Sequence, residues 1–279
     1  RKVPLEVKLN RLDPFHRGAG LYIVAFLLVA VGWVVARRWA RWVRWGAWAV
    51  LLGTLALHVA GIAMRCVLRE RPPISTLYET VLFISALGVA ACAVVEAFDR
   101  RGIALTLAPV LGALGLMLAN SYESLKGEDT MPQLVAVLDT NYWLTLHVTC
   151  IAIGYTGGLV ASAMAHVTVL GRAFGWKRGD EDFYRAVGKM TYGMLAFGLL
   201  FSVVGTILGG IWANDSWGRF WGWDPKENGA LMICLAQLAI LHARLVGYLK
   251  TFGIAMATVV QGVVVAFSWW HVNHLGIGL

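Results

Sequence analysis

An all-α, polytopic bundle of about eight membrane-spanning helices, with a Trp-rich loop at one membrane surface, is the architecture expected of this chain, for three reasons. Of its 279 residues 58% are hydrophobic and only 14% charged, a balance outside the range of soluble domains. Apolar stretches recur at close to the ~20 residues that a helix needs to cross a bilayer. The basic residues gather at the ends of those stretches. A net charge of +8 would suggest nucleic acid in a soluble protein, but basic residues that flank apolar spans read as topology signals and lipid-headgroup contacts. Membrane lipid is therefore an expected partner and nucleic acid is not. Cys66, Cys92, Cys150 and Cys234 form no C-x-x-C pair, so neither a disulfide framework nor a thiol-redox motif is implied.

In chain order the segment 1–19 is polar, basic and amphipathic, and 20–279 forms the transmembrane domain. The expected spans fall at roughly 20–36, 45–64, 80–98, 102–120, 142–170, 190–212, 229–249 and 251–270. The first is short and the fifth long, which predicts tilt or an end projecting into water. Asn120 to Asn141, with Glu123, Glu128, Asp129 and Met131-Pro132, reads as a large loop.

With eight spans, the loops at 65–79, 121–141 and 213–228 share a side with both termini. The other side carries twelve basic residues: Arg37, Arg38, Arg41, Arg44, Arg100, Arg101, Arg172, Lys177, Arg178, Arg185, Lys189 and Lys250. The Trp-side loops carry six, a count that omits the five basic residues of the N-terminal segment. By the positive-inside rule, the Trp-rich loop faces away from the cytoplasm.

That loop, Trp217-Gly218-Arg219-Phe220-Trp221-Gly222-Trp223-Asp224-Pro225-Lys226-Glu227, packs aromatic rings between two apolar stretches. Trp217 and Trp221 share a face if the segment is helical, Trp221 and Trp223 if it is extended. Several indoles can cover a flat apolar macrocycle while each Nε1–H stays free to donate to a carboxylate at its edge, and haem has both surfaces. Interfacial Trp enrichment explains an indole or two without any ligand. It does not explain Gly218 and Gly222, where a missing side chain admits a close neighbour. Asp224, Pro225 and Glu227 stand at N-cap, N1 and N3 of a helix start, so for Asp224 a capping role competes evenly with a ligand role.

These residues resemble the "WWD" signature of the haem-handling membrane proteins of cytochrome c maturation, in particular the CcsA/ResC-type subunit of the system II cytochrome c synthase. Asn10 to Phe15, Arg71-Pro72-Pro73 with Tyr78-Glu79, Trp143 to His147, and Val272 to Gly276 extend the likeness over nearly the whole chain. The resemblance implies an integral protein of the bacterial cytoplasmic membrane, or its thylakoid equivalent, with the loop outside the cytoplasm. It implies that haem b is carried across the membrane, presented on the loop and attached to the CxxCH thiols of apocytochrome c. Such a holocytochrome c synthase (haem lyase) activity would require a CcsB/ResB-type partner, separate or fused, together with thiol-reducing proteins. The start at Arg1 fits the C-terminal part of such a fusion.

Haem iron takes axial imidazoles, so the seven histidines are the candidate iron ligands. The resemblance assigns His147 to the haem beside the Trp loop and His242 to haem in transit within the membrane. It places a second axial ligand of the outer haem beyond Leu279. His58 reads as a packing residue, with a ligand role possible beside Arg65; His16 and His166 read as structural or solvated, and His271 and His274 as neighbours outside the first-rank site. Arg65 and Arg244 could meet propionates in bidentate geometry or snorkel to the interface. The expected catalytic set is His147, Trp217, Trp221, Trp223 and Asp224, and the haem-binding set adds His242, Gly218, Phe220 and Gly222. Three alternatives stand beside this reading: a loader that forms no thioether bond, a bis-His electron-transfer subunit using His58 and His242, and a transporter with an aromatic gate.

Overall fold

Several helices in this protein start at side-chain caps that lie ahead of their apolar stretches, at Thr76, Asp180 and Asp224. The computed structural model describes residues 2–127, 130–131 and 142–275, and among them there is no strand. Eight helices are long and apolar enough to cross a membrane. They group into two compact units, Arg1–Asp139 and Thr140–Leu279.

The first unit holds α1 (Lys2–Leu12), α2 (Pro14–Val34), α3 (Arg37–Arg69), α4 (Leu77–Asp99) and α5 (Ile103–Lys126). Asp13 breaks α1 from α2 by taking a left-handed conformation (φ 42°), and Pro14 opens α2 where a missing N–H costs nothing. The N-terminal segment 1–19 thus contains α1 and the first turns of α2. Leu9 is buried, and α1 is tied to the end of α3 by the Lys2–Glu70 ion pair at 2.7 Å. The Lys2 ammonium holds the Glu70 carboxyl below its usual range.

The core of this unit is partly polar. Gly61 leaves room for Pro14 and Phe15, and Gly112 for the ring of Tyr22. The Tyr22 hydroxyl meets His58 Nδ1 at 3.3 Å, and the imidazole lies edge-on to both Phe15 and Tyr22. At one end Glu79 is buried against two arginines, Arg71 at 3.1 Å and Arg65 at 3.5 Å. At the other, buried Glu96 accepts from the N–H groups of Gly102 and Leu105 and so satisfies the start of α5.

The second unit holds α6 (Tyr142–Ala173), α7 (Glu181–Trp217), α8 (Pro225–Leu245), α9 (Thr251–Ala266), a π turn over Phe267–His271 and a last turn, α10 (Val272–His274). α7 is 37 residues long, about 55 Å at 1.5 Å per residue, against a hydrocarbon core of about 30 Å. The expected span 190–212 covers only its apolar centre. Asp180 accepts from Phe183 N–H and starts the helix well before that span, and Gly218, at φ 70°, closes it.

α6 and α7 pack backbone to backbone along a glycine seam. A Cβ on Gly157 would lie 2.6 Å from Gly198 Cα, and one on Gly205 would lie 2.7 Å from Ile151 N. Such contact is how helices gain van der Waals energy where lipid offers no hydrophobic contrast. It also brings the Gly205 carbonyl within reach of α6. The span expected at 229–249 runs instead from 225 to 245, because the Asp224 cap starts it early and the chain turns at Val246 to Lys250.

Candidate functional site

His147 stands on the second turn of α6 and faces α7 across the upper part of the glycine seam. Its Nδ1 lies 2.7 Å from the carbonyl oxygen of Gly205. A carbonyl only accepts, so Nδ1 carries the proton and Nε2 presents its lone pair, the tautomer that a metal-binding imidazole uses. Gly209 makes the space, since a Cβ there would fall 2.6 Å from His147 Cε1. The ring stacks parallel to Trp212, with centroids 6.4 Å apart and planes 4° off.

Trp212 carries the aromatic surface onward. Trp217, the last residue of α7, sits edge-on to it at 6.3 Å. The chain then leaves the helix, and Phe220 folds back so that its ring occupies the space over Gly210, where a Cβ would lie 2.5 Å from Phe220 Cζ. Trp221 and Trp223 pair edge-to-face at 5.9 Å. The extended alternative therefore describes residues 221–223, while Trp217 pairs with Trp212 rather than Trp221. Trp217, Phe220 and Trp223 are 40%, 49% and 67% exposed, a large apolar surface on one short loop.

Both loop glycines have structural reasons of their own. Gly218 takes the left-handed C-cap position. Gly222 yields to the Arg219 guanidinium, which lies where a Cβ would stand. Arg219 Nη1 in turn pairs with Glu227 at 3.6 Å. Glu227 Oε2 accepts from Gly222 N–H at 2.7 Å and Asp224 N–H at 3.2 Å, while Asp224 Oδ1 accepts from Glu227 N–H at 2.9 Å. Through this reciprocal box Asp224 caps α8 and fixes the loop. Trp223 holds a left-handed conformation (φ 60°) that is strained for a bulky residue and is held by the loop around it.

The donor set fits an iron porphyrin taken as substrate. Nε2 of His147 would offer iron a lone pair, and among the described residues the buried indole N–H groups of Trp212 and Trp221 have no hydrogen-bond partner. An unpaired buried donor costs about 1–3 kcal/mol, which a bound carboxylate would recover.

His242 lies elsewhere, on an exposed face of α8, with Nδ1 bonded to Leu238 O at 2.9 Å. Arg244 lies over the Tyr192 ring at 4.8 Å. His16 pairs with Asp13 at 2.9 Å, and His166 Nδ1 is bonded to Ser162 O. His271 and His274 are exposed and stack on Phe267 and Trp270. Arg65 is engaged by Thr130 and Glu79. Glu128, Asp129, Pro132 and Asn141 of the acidic stretch, and Gly276 of the C-terminal motif, lie outside the described residues. Sequence reasoning missed Trp212, Gly209 and Gly205; their i, i+4, i+7 spacing on one face of α7, ahead of Trp217, was the available signal.

The fold and site define an integral membrane protein whose imidazole and aromatic surface are assembled at one end of a helix pair. The family described as "Cytochrome C assembly protein" matches residues 74–279. A "Cytochrome c biogenesis protein CcsA" from Synechococcus sp. (strain CC9902) is 30% identical, over 95% of this chain and 96% of that protein. One from Chlamydomonas reinhardtii is 30% identical, over 74% of this chain and 60% of that protein. "Protein NrfI" of Wolinella succinogenes is 32% identical over 88% of this chain, which spans 27% of that longer protein. The chain belongs to the cytochrome c assembly protein family and is of the CcsA type.

Proposed function

We propose that this protein carries haem b across the membrane, presents it on the loop 217–223 at the extracytoplasmic face, and attaches it to the CxxCH thiols of apocytochrome c. The observation that carries this reading is the His147 imidazole, oriented by Gly205 and continuous through Trp212 with the exposed Trp217. Haem is the substrate here. Nε2 of His147 is an axial ligand, and the faces of Trp217, Phe220, Trp221 and Trp223 cover the macrocycle. The N–H groups of Trp212 and Trp221 meet its carboxylates. Gly218, Gly222 and Asp224 act through the shape of the loop, with Asp224 a positioning residue.

Attachment is an addition. Each thiol forms a C–S bond at one vinyl carbon and its proton ends on the other, so no oxidant is consumed. The protein contributes position: a thiol held near a vinyl carbon gains an effective concentration of up to ~10⁵–10⁸ M. Thiol-reducing proteins keep the cysteines available. A CcsB/ResB-type subunit completes the machine, and the exposed His242 face is the surface on which haem in transit meets it. Release of haem to a carrier without thioether formation is the second reading, and the same loop supports it. The bis-His reading is disfavoured because His58 is fully buried against Phe15 and Tyr22.

The test is His147→Gly in the complete synthase. Expected are a shifted spectrum of the outer haem, loss of thioether product and partial rescue of both by added imidazole. An unchanged spectrum with full yield of holocytochrome c would overturn the reading.

A further inference from the structure

The first unit carries a basic aromatic face for which haem attachment has no use. α3 is 33 residues long, about 50 Å against a hydrocarbon core of about 30 Å. Its first turns precede the apolar stretch that starts near residue 45. They place Trp39, Trp42 and Trp45 on one stripe and Arg38, Arg41 and Arg44 on the next, each repeating every three residues.

The three indoles are 57%, 68% and 65% exposed, so most of each side chain faces away from this chain. No acidic residue lies anywhere on α3. Among the described residues Arg38, Arg41 and Arg44 make no ion pair. Glu96 feels the charge of Arg44 only at longer range and is already committed to the N–H groups of Gly102 and Leu105.

Beside this face a small cleft of roughly 50 Å³ lies between α2, α3 and the start of α5. Val29, Gly32, Trp33, Ala40 and Leu105 contribute apolar wall, and Arg44 is the one charged residue lining it among those described. Trp33 closes one end against Gly102. A row of guanidinium groups beside a row of exposed indoles at interfacial depth is complementary to a molecule with an anionic head and a hydrocarbon tail.

We propose that this face binds an anionic glycerophospholipid. Arg41 and Arg44 hold its phosphate, Trp39, Trp42 and Trp45 lie at the level of its ester groups, and its acyl chains run into the bilayer alongside α3. A free phosphate would use the guanidinium groups alone and leave the indoles without a role. The site belongs to the first unit and is independent of the haem reading.

The experiment uses the purified full chain in detergent, titrated with dioleoylphosphatidylglycerol or dioleoylphosphatidylcholine, with bound lipid counted by native mass spectrometry. Phosphatidylglycerol should be retained at least tenfold more strongly. Arg38→Gln/Arg41→Gln/Arg44→Gln should weaken it on the order of 100-fold, while the corresponding triple Lys variant should stay within a few-fold of the parent. Lys177→Gln/Arg178→Gln, which removes charge from the second unit, should leave retention unchanged. Equal retention of the two lipids would overturn the proposal, as would a Gln variant that binds like the parent. Displacement of the lipid by millimolar glycerol 3-phosphate would also overturn it, because the guanidinium groups alone would then account for binding.

Discussion

Replacing Gly209 by alanine tests the site through the space that the imidazole occupies and leaves the ligand itself in place. The new methyl would stand 2.6 Å from Cε1 and 2.7 Å from Nδ1 of His147, where ordinary contact begins at 3.4 Å. The ring must retreat by about 1 Å, which stretches the 2.7 Å bond to the Gly205 carbonyl past hydrogen-bond length. Losing that bond leaves a buried donor unpaired at about 1–3 kcal/mol, of which Gly→Ala inside a helix returns about 1 kcal/mol. The melting temperature should therefore fall by no more than about 8 °C. Ligation should suffer far more, because removing the group that orients a metal-binding imidazole typically costs 10–100-fold in affinity. Absorption and resonance Raman spectra of the haem-loaded protein, with thioether yield on an apocytochrome, read the effect. Gly193→Ala, on the same helix with nothing within 4 Å of the new methyl, is the control and should behave as the parent. Normal spectra and yield in Gly209→Ala would refute the idea that His147 binds iron in this orientation.

Two further outcomes follow from the loop. Asp224→Asn should retain the cap on α8 and nearly full maturation, whereas Asp224→Ala should lose about 1 kcal/mol of stability, seen in thermal unfolding; equal loss of haem binding in both would mean that the carboxylate acts on the ligand directly. Single cysteines at exposed Arg178 and Asp215 should report opposite membrane faces, an impermeant thiol reagent on intact cells modifying only Asp215→Cys. Labelling at position 178 alone would invert the proposed orientation and leave the aromatic loop on the cytoplasmic side.

Much of the architecture is legible along the chain because it depends on local quantities. Apolar length decides which segments can cross a bilayer, and the eight stretches correspond to eight helices even where the ends differ. Asp224-Pro225-Lys226-Glu227 announces a capping box because N-cap and N3 are three residues apart whatever surrounds them, and the box is present as the spacing implies. The extent of α7 was less legible: hydropathy ends at residue 212, but its polar last turn continues until Gly218 provides a left-handed stop.

The site itself depended on packing. The resemblance singled out His147 among seven histidines, yet its tautomer follows from a carbonyl 58 positions away. Trp212 read as one more apolar residue of a span, and only the glycine seam between α6 and α7 turns it toward the imidazole. The same holds for Gly222, whose missing side chain suggested a ligand and instead admits Arg219. Composition, period and capping act over a few residues and survive in a linear reading. Which rings meet, and which nitrogen keeps its lone pair, depends on two helix backbones close enough for a carbonyl of one to reach a side chain of the other, a distance that no local pattern encodes.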